Sequence, residues 1–180
     1  MNCWKSVNVR KEIGYSRLFH ITIFISLITF LILYVPFSII HKQIPMNDHG
    51  VLPLLVGILL LPSLHSLVHI LTLILMKQRV KIKYKRKLKI IPILTYYTRT
   101  YITKKVSLIN AIAPTVVITI PGILACYLFA DYYLYILLFT CLHIGLTYID
   151  FWCLTHIIKA PKEAIIQNES DGFDILLEAN

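Results

Sequence analysis

The sequence predicts an all-α integral membrane protein with four transmembrane helices and a small cytoplasmic β-hairpin-like loop. Three observations support this fold class. The chain of 180 residues is 57% hydrophobic, and its mean hydropathy of +0.72 exceeds what a soluble domain of this size shows. Its apolar residues gather in four runs, each at least as long as the roughly 20 residues that cross a bilayer. Its basic residues gather between these runs rather than within them.

The four predicted spans cover residues 18–40, 51–76, 108–130 and 132–158. The first is too long for a signal-peptide core and no small-residue cleavage site follows it, so we expect a retained helix. The third contains Pro114 and Pro121, and a proline inside a helix predicts a kink. We therefore expect a single membrane domain over residues 1–158, followed by an acidic cytoplasmic tail over residues 159–180.

The distribution of charge predicts how the spans are oriented. The loop over residues 77–105 holds eleven Lys or Arg residues and no acidic residue, and the N-terminal segment is also basic. The loop over residues 41–50 holds one lysine offset by one aspartate, and the turn at 130–131 holds no base. The positive-inside rule then places both termini and the 77–105 loop, called the basic loop below, in the cytoplasm. We expect a multi-pass protein of the cell membrane.

The basic loop has a strand-like pattern. Val80, Ile82 and Tyr84 alternate with lysines, and the alternation resumes over residues 87–90. Period-two alternation predicts two short strands, arranged as a hairpin on the inner membrane surface. Pro92 cannot donate a ladder hydrogen bond, so the segment after it is predicted to be an edge strand or irregular.

The charge also bears on partners. The formal net charge is +9, and most of it lies in the basic loop. A cationic loop beside a membrane favours contact with anionic lipid, and no nucleic-acid-binding fold is recognisable, so we expect a lipid partner and no nucleic acid. The tail would either dock against the basic loop or remain solvated. Its acidic residues are Glu163, Glu169, Asp171, Asp174 and Glu178.

Two histidines, His65 and His69, lie in the middle of the second span. A spacing of four residues places both imidazoles on one face of a helix, where they can bind one metal ion. This pair is the metal-binding half of the His-Glu-x-x-His motif of metalloproteases. The glutamate of that motif is the general base, and Ser66 occupies its position here. The pattern therefore predicts metal binding without the motif base.

Asp150 is the only acidic residue inside a predicted span. An intramembrane carboxylate costs at least ~2.5 kcal/mol on insertion scales and marks a candidate functional site. The second and fourth spans run in the same direction, and the histidine pair and Asp150 lie about equally far before the inner ends of their spans. At about 1.5 Å per residue both lie roughly 12–14 Å from the inner boundary, so we expect the three side chains to meet.

Two histidines, one carboxylate and a water form the ligand set of a tetrahedral zinc site with one open position. A bound cation would keep the buried Asp150 ionised. The same ligands suit iron or cobalt, and a hydrogen-bonded His–Asp cluster without metal is the alternative. His143 and Cys153 are further candidate ligands, which we expect to be packing residues, His143 about 10 Å farther out than Asp150 on the same helix face.

These features, in this order, resemble the bacterial membrane proteins known as putative zincin peptidases, which are distantly similar to site-2 proteases. The resemblance covers most of the chain from about residue 50. Beside the histidine pair it is carried by Thr103-Lys104-Lys105, Ile112-Ala113-Pro114, Tyr148-Ile149-Asp150-Phe151-Trp152, and Ala160-Pro161-Lys162-Glu163-Ala164 followed by Asp171-Gly172-Phe173. It implies that His65, His69 and Asp150 are zinc ligands, and that cytoplasmic strands present a substrate by edge pairing.

The family pattern has glutamate where this chain has Ser66. A serine hydroxyl is far too weak a base to take a proton from water, and loss of a general base costs roughly 10²–10⁴-fold in rate. We therefore expect a divergent or inactive member that binds a membrane protein or peptide partner without cutting it. The alternatives are an active intramembrane zinc metalloprotease with an unusual base, and a metal-free membrane protein of transport or immunity type.

Overall fold

The computed structural model describes residues 2–42, 48–85, 93–98, 101–169 and 172–177. Its helices are α1 (Val9–Glu12), α2 (Tyr15–Ile40), α3 (Val51–Leu75), α4 (Lys104–Pro114), α5 (Ile120–Leu128), α6 (Tyr133–Leu146) and α7 (Tyr148–Lys159). Its strands are β1 (Asn2–Asn8), β2 (Val80–Lys85), β3 (Ile93–Thr98), β4 (Ile102–Thr103), β5 (Ile165–Glu169) and β6 (Gly172–Leu177). A π-helical segment, Thr115–Thr119, joins α4 to α5.

Each of the four predicted spans corresponds to one long apolar helical stretch, the third made of α4, the π-helical segment and α5, and the fourth mainly of α6 and α7. The helices long and apolar enough to span a membrane are Tyr15–Ile40, Asp48–Leu75, Lys104–Leu128 and Ala130–Lys159. In each of the first two, 11% of the apolar stretch is buried within the protein. Large side chains on these helices, such as Phe24 and Leu52, are 63% and 72% exposed. Apolar surface on this scale needs an apolar surrounding, which a lipid bilayer provides.

The third long helix is interrupted where its prolines predicted a kink. Pro114 closes α4, a π-helical turn follows directly, and Pro121 lies in the first turn of α5. A proline removes one N–H from the helix ladder, and its ring crowds the carbonyl four residues earlier. The π-helical turn that follows Pro114 has hydrogen bonds between residues five apart instead of four.

Helices α2 and α6 approach each other closely through small residues. A Cβ atom on Gly145 would overlap the hydroxyl of Ser26 and the backbone oxygen of Thr22. Small residues at helix contacts let backbones approach, as in membrane helix pairs. Elsewhere along the same helix pair, Leu137 of α6 and Phe37 of α2 are buried in a shared apolar cluster.

A four-stranded antiparallel sheet, in the order β1-β6-β5-β4, joins the two ends of the chain. This sheet corrects the prediction of an all-α chain. Its two central strands, β5 and β6, come from the segment that was expected to be an acidic tail. Their buried side chains Ile166, Phe173 and Ile175 pack against Ile157 of α7. Both ends of the chain therefore lie on the same side of the helices.

The basic loop contains two paired strands, of which the alternation predicted the first. β2 pairs antiparallel with β3, so that Val80 lies opposite Thr98 and Lys85 opposite Ile93. The predicted second strand over residues 87–90 lies outside the described residues. The segment after Pro92 was predicted to be an edge strand or irregular. It forms β3, which is an edge strand because its sheet has two strands.

Candidate metal centre

His65 and His69 project from the same face of α3, as their spacing predicted. Their rings meet edge to face with centroids 4.9 Å apart, and their Nε2 atoms lie 3.2 Å apart. His69 is buried and His65 is half-buried. The pair therefore presents two ring nitrogens to one point between the helices.

Asp150 completes the cluster from the first turn of α7. Its Oδ2 lies 3.2 Å from His65 Nε2, and its Oδ1 lies 3.2 Å from His69 Nε2. The sequence predicted that these three side chains would lie at one depth, and the structure brings them together. In the described part of the chain they form the one group of three or more His, Cys, Asp or Glu residues that could hold a metal ion.

The spacing of these atoms is close to that of the ligands of one zinc ion. Ligand atoms about 2.0–2.1 Å from a tetrahedral zinc lie roughly 3.3 Å from one another. The two Nε2 atoms are 3.2 Å apart, and each lies 3.2 Å from a different oxygen of Asp150, so that one ligand atom from each residue lies within 4.8 Å of the others. The polar neighbour of the buried Oδ2 of Asp150 is His65 Nε2, at 3.2 Å. With the proton of His65 on its outer nitrogen, this oxygen would have no donor, which is costly for a buried group. A bond to a metal ion would satisfy it.

The outer nitrogen of His69 is held by the backbone. Its Nδ1 donates a hydrogen bond of 3.0 Å to the carbonyl oxygen of Asn110 in α4. In a regular helix the N–H of residue 114 would donate to that oxygen, but Pro114 has no N–H. Because a carbonyl can only accept, the proton lies on Nδ1 of His69. The neutral ring then turns the lone pair of Nε2 toward the cluster.

The outer nitrogen of His65 is held by a side chain. Its Nδ1 lies 3.2 Å from His143 Nε2, and His143 Nδ1 lies 2.9 Å from Thr119 Oγ1. The sequence predicted His143 to be a packing residue beyond the cluster. It is fully buried and lies outside the metal-ligand group of the described residues, but it contacts the far side of a predicted ligand.

Sequence reasoning missed the contacts that Asn110 and His143 make with the histidine pair. A signal for the first contact was present, because Pro114 lies four residues after Asn110 and leaves that carbonyl without its helix donor. No local pattern pointed to the contact between His143 and His65. It depends on how α3 and α6 pack, which a sequence separation of 78 residues does not reveal.

A cavity of about 170 Å³ borders the cluster on the side of the four-stranded sheet. His69 and Asp150 line it from the helices, and Asn168 and Phe173 line it from the sheet. Cys153, the other further candidate ligand, also lines the cavity, but it does not belong to the metal-ligand group of the described residues. The volume can hold several water molecules. The cluster is thus open toward the end of the molecule that carries the sheet.

Ser66 follows His65 on α3 and is half-buried. The carboxylate of the cluster is that of Asp150, and both its oxygens lie against the imidazoles. No second carboxylate joins the cluster among the side chains that the structure describes. Within that part of the chain, nothing in the cluster takes the role of the motif glutamate.

A family model described as "Putative zincin peptidase" matches residues 58–165, which is more than half of the chain. The match includes the histidine pair of α3 and Asp150 of α7, so it covers the whole metal-ligand group. No curated protein and no solved structure matches the chain.

Proposed function

Because the chain belongs to the family of putative zincin peptidases, we propose that it is a membrane protein that binds one zinc ion and does not cleave peptides. His65, His69 and Asp150 would hold the ion. The observation that carries this proposal is the set of 3.2 Å separations among the two Nε2 atoms and the carboxylate oxygens. The separation of the two Nε2 atoms suits two ligands of one zinc ion, and an oxygen of Asp150 would be the third ligand.

The charge of the cluster also supports a bound cation. Two ring nitrogens and a carboxylate, all rich in electrons, face one another at 3.2 Å, and the side chains of His65 and Asp150 are each 13% exposed. A buried carboxylate without a partner becomes protonated or destabilises the fold. A divalent cation between neutral imidazoles would keep Asp150 ionised.

The absence of a base argues for binding rather than cleavage. Zinc, when bound, supplies Lewis-acid polarisation of a carbonyl group or of water. Peptide hydrolysis also needs a group that takes a proton from water and returns it to the leaving amine, and loss of that group costs roughly 10²–10⁴-fold in rate. The hydroxyl of Ser66 is too weak a base, and Asp150 is engaged by both histidines. We therefore propose that the cavity binds a segment of a membrane protein or peptide partner.

The proposed location is the cell membrane, with the sheet, both termini and the basic loop on the cytoplasmic side. The sheet requires the two ends to share one side, since β1 and β6 are neighbours. The basic loop would then contact anionic lipid. Cys3, exposed in β1, tests the orientation. A membrane-impermeant thiol reagent should label it in inverted vesicles and not in intact cells, and labelling in intact cells would contradict this orientation.

Metal content tests the proposed site. The full chain, purified in detergent, should carry about one zinc per molecule by elemental analysis, and His69→Ala should lose it. The matched control is His20→Ala, which removes an exposed histidine of α2. Its zinc content should equal that of the wild type. A wild-type content no higher than that of His69→Ala would favour the metal-free His–Asp cluster instead.

Restoring the motif glutamate tests the missing base. Ser66→Glu should cleave a model membrane peptide that the wild type leaves intact, because the new carboxylate follows the first histidine as in the motif. Ser63→Glu, which adds the same acid elsewhere on α3, should not gain cleavage. If the wild type already cleaves and His65→Ala abolishes cleavage, the protein is an active protease and the proposal of binding without cleavage is wrong.

A further inference from the structure

A buried chain of three side chains extends from the candidate metal centre into the helices. His65 lies on α3, His143 on α6, and Thr119 at the end of the π-helical segment. The chain has contacts of 3.2 Å between His65 Nδ1 and His143 Nε2, and of 2.9 Å between His143 Nδ1 and Thr119 Oγ1. Both His143 and Thr119 are buried, at 0% and 6% exposed.

We infer that His143, supported by Thr119, is a positioning residue that holds His65 in the tautomer that binds metal. The inference rests on the proposed metal site and adds to it the residues that prepare one of its ligands. His143 does not belong to the ligand group of the described residues. It acts through the ring of His65.

The direction of the hydrogen bonds follows from the ligand atom. An imidazole that binds a metal through Nε2 carries its proton on Nδ1. That proton points at His143 Nε2, which must therefore accept it. The proton of the neutral His143 ring is then on Nδ1, from which it is donated to the hydroxyl oxygen of Thr119. The opposite direction would put the proton on His65 Nε2, between Asp150 and His69, where it would occupy the position of the metal.

The two histidines of the pair are thus oriented by different kinds of hydrogen bond, one to the backbone and one to a side chain. His69 donates to the backbone oxygen of Asn110, which remains when the side chain of Asn110 is replaced. His65 depends on the side chain of His143, so its orientation can be changed by a single substitution. Outer contacts of this kind usually contribute 10–100-fold to metal affinity. Loss of His143 should therefore weaken the site without removing a ligand.

The π-helical segment explains why Thr119 can support this chain. Thr119 is its last residue, and a π turn changes the direction in which the following side chains project relative to a regular α-helix. The interruption that begins after Pro114 therefore ends with a hydroxyl placed against α6. Residues of the third long helix thus support both histidines of the pair, His69 through Asn110, and His65 through Thr119 and His143.

Zinc affinity of the full-length protein in detergent, measured by competition with a chromophoric chelator, tests the inference. His143→Leu should bind zinc 10–100-fold more weakly than the wild type. His143→Gln should recover most of this loss, because its amide oxygen can accept from His65 and its NH₂ group can donate to Thr119. The control His41→Leu removes another buried histidine, which contacts the backbone oxygen of Cys126, and should bind like the wild type.

Thr119→Val is a nearly isosteric variant that keeps the test decisive if His143→Leu does not fold. It should weaken zinc binding several-fold, since His143 loses the partner that fixes its own tautomer. The inference is overturned if His143→Leu and Thr119→Val bind zinc within threefold of the wild type. It is also overturned if His143→Gln folds like the wild type but binds as weakly as His143→Leu, because volume and not hydrogen bonding would then be the cause.

A second readout does not need metal. In the metal-free protein labelled with ¹⁵N-histidine, His65 should carry its proton on Nδ1 in the wild type and on Nε2 in His143→Leu, where it can donate to Asp150. An unchanged tautomer would refute the role of His143. If the wild type binds no zinc but the proton of His65 still differs between the wild type and His143→Leu, the proposed metal site is refuted and the role of His143 is not. The two failures are therefore distinguishable.

Discussion

His69 Nδ1 donates a hydrogen bond of 3.0 Å to the backbone oxygen of Asn110. The donor lies on the second long helix and the acceptor on the third, so this bond fixes both the ring of His69 and the distance between two helices. It exists because residue 114 is a proline, which cannot donate to that oxygen within the helix. A helix-breaking residue thus orients a candidate metal ligand.

Substitution of Pro114 by alanine should weaken the metal site. Pro114→Ala supplies an N–H that competes with His69 for the Asn110 oxygen, so zinc affinity should fall roughly tenfold, as for other outer contacts. The loss should occur although the helix itself becomes more regular. Chelator competition measures it. The control is Pro36→Ala, also inside a long helix, and an equal effect of both substitutions would contradict the role of Asn110.

Removal of the charge of Asp150 should have a larger effect than loss of any outer contact. Asp150→Asn keeps the shape of the side chain but lowers its power to bind a cation. Zinc affinity should fall more than about 100-fold, beyond the range of outer contacts. Asp131→Asn, at an exposed turn, is the matched control and should bind normally. Comparable zinc binding by both variants would rule out Asp150 as a ligand.

Close contact between α2 and α6 makes Gly145 sensitive to enlargement. In Gly145→Ala the new Cβ would overlap Ser26 and the backbone oxygen of Thr22, and a backbone cannot move away as a side chain can. The free energy of unfolding in detergent should fall by about 1–3 kcal/mol. In the control Gly57→Ala the new Cβ lies 3.3 Å from the ring of Phe139, which can shift. A smaller loss for Gly145→Ala than for Gly57→Ala would contradict this packing.

The sheet that joins the two ends should contribute to stability. Ile166 is fully buried between the sheet and α7, so Ile166→Ala should lower the free energy of unfolding by about 2–5 kcal/mol. Amide hydrogen exchange should show the loss of protection in β1, β5 and β6 before it appears in the long helices. Leu75→Ala, at a side chain that is 74% exposed, is the control. Unchanged exchange in the three strands would show that the sheet does not depend on this core.

The long helices and the cluster were predictable because their signals are local. Each span is a continuous apolar run, and the spacing of His65 and His69 fixes their common face without knowledge of the rest of the fold. Asp150 required one further step, the comparison of depths along two spans. That step succeeded because positions equally far from the ends of two helices that run in the same direction lie at the same level.

The four-stranded sheet was missed because its signals are weak and its pairing is not local. Phe173 and Ile175 alternate with Asp174, but the acidic composition of the segment favoured a tail. The partner strand β1 lies more than 160 residues away, as the pairing of Val7 with Phe173 shows. Neither strand has a turn signal that points to the other. Long-range pairing of this kind depends on the helices that bring the ends together.

The strand order also sets a sequence of events during synthesis. β1 is translated before the four long helices and β6 after them, yet the two strands are neighbours. On the ribosome, β1 therefore waits without its partner until the four long helices have been made. β5 and β6 carry Asn168 and Phe173, which line the cavity, so the wall of the cavity on the sheet side is made after every residue of the cluster.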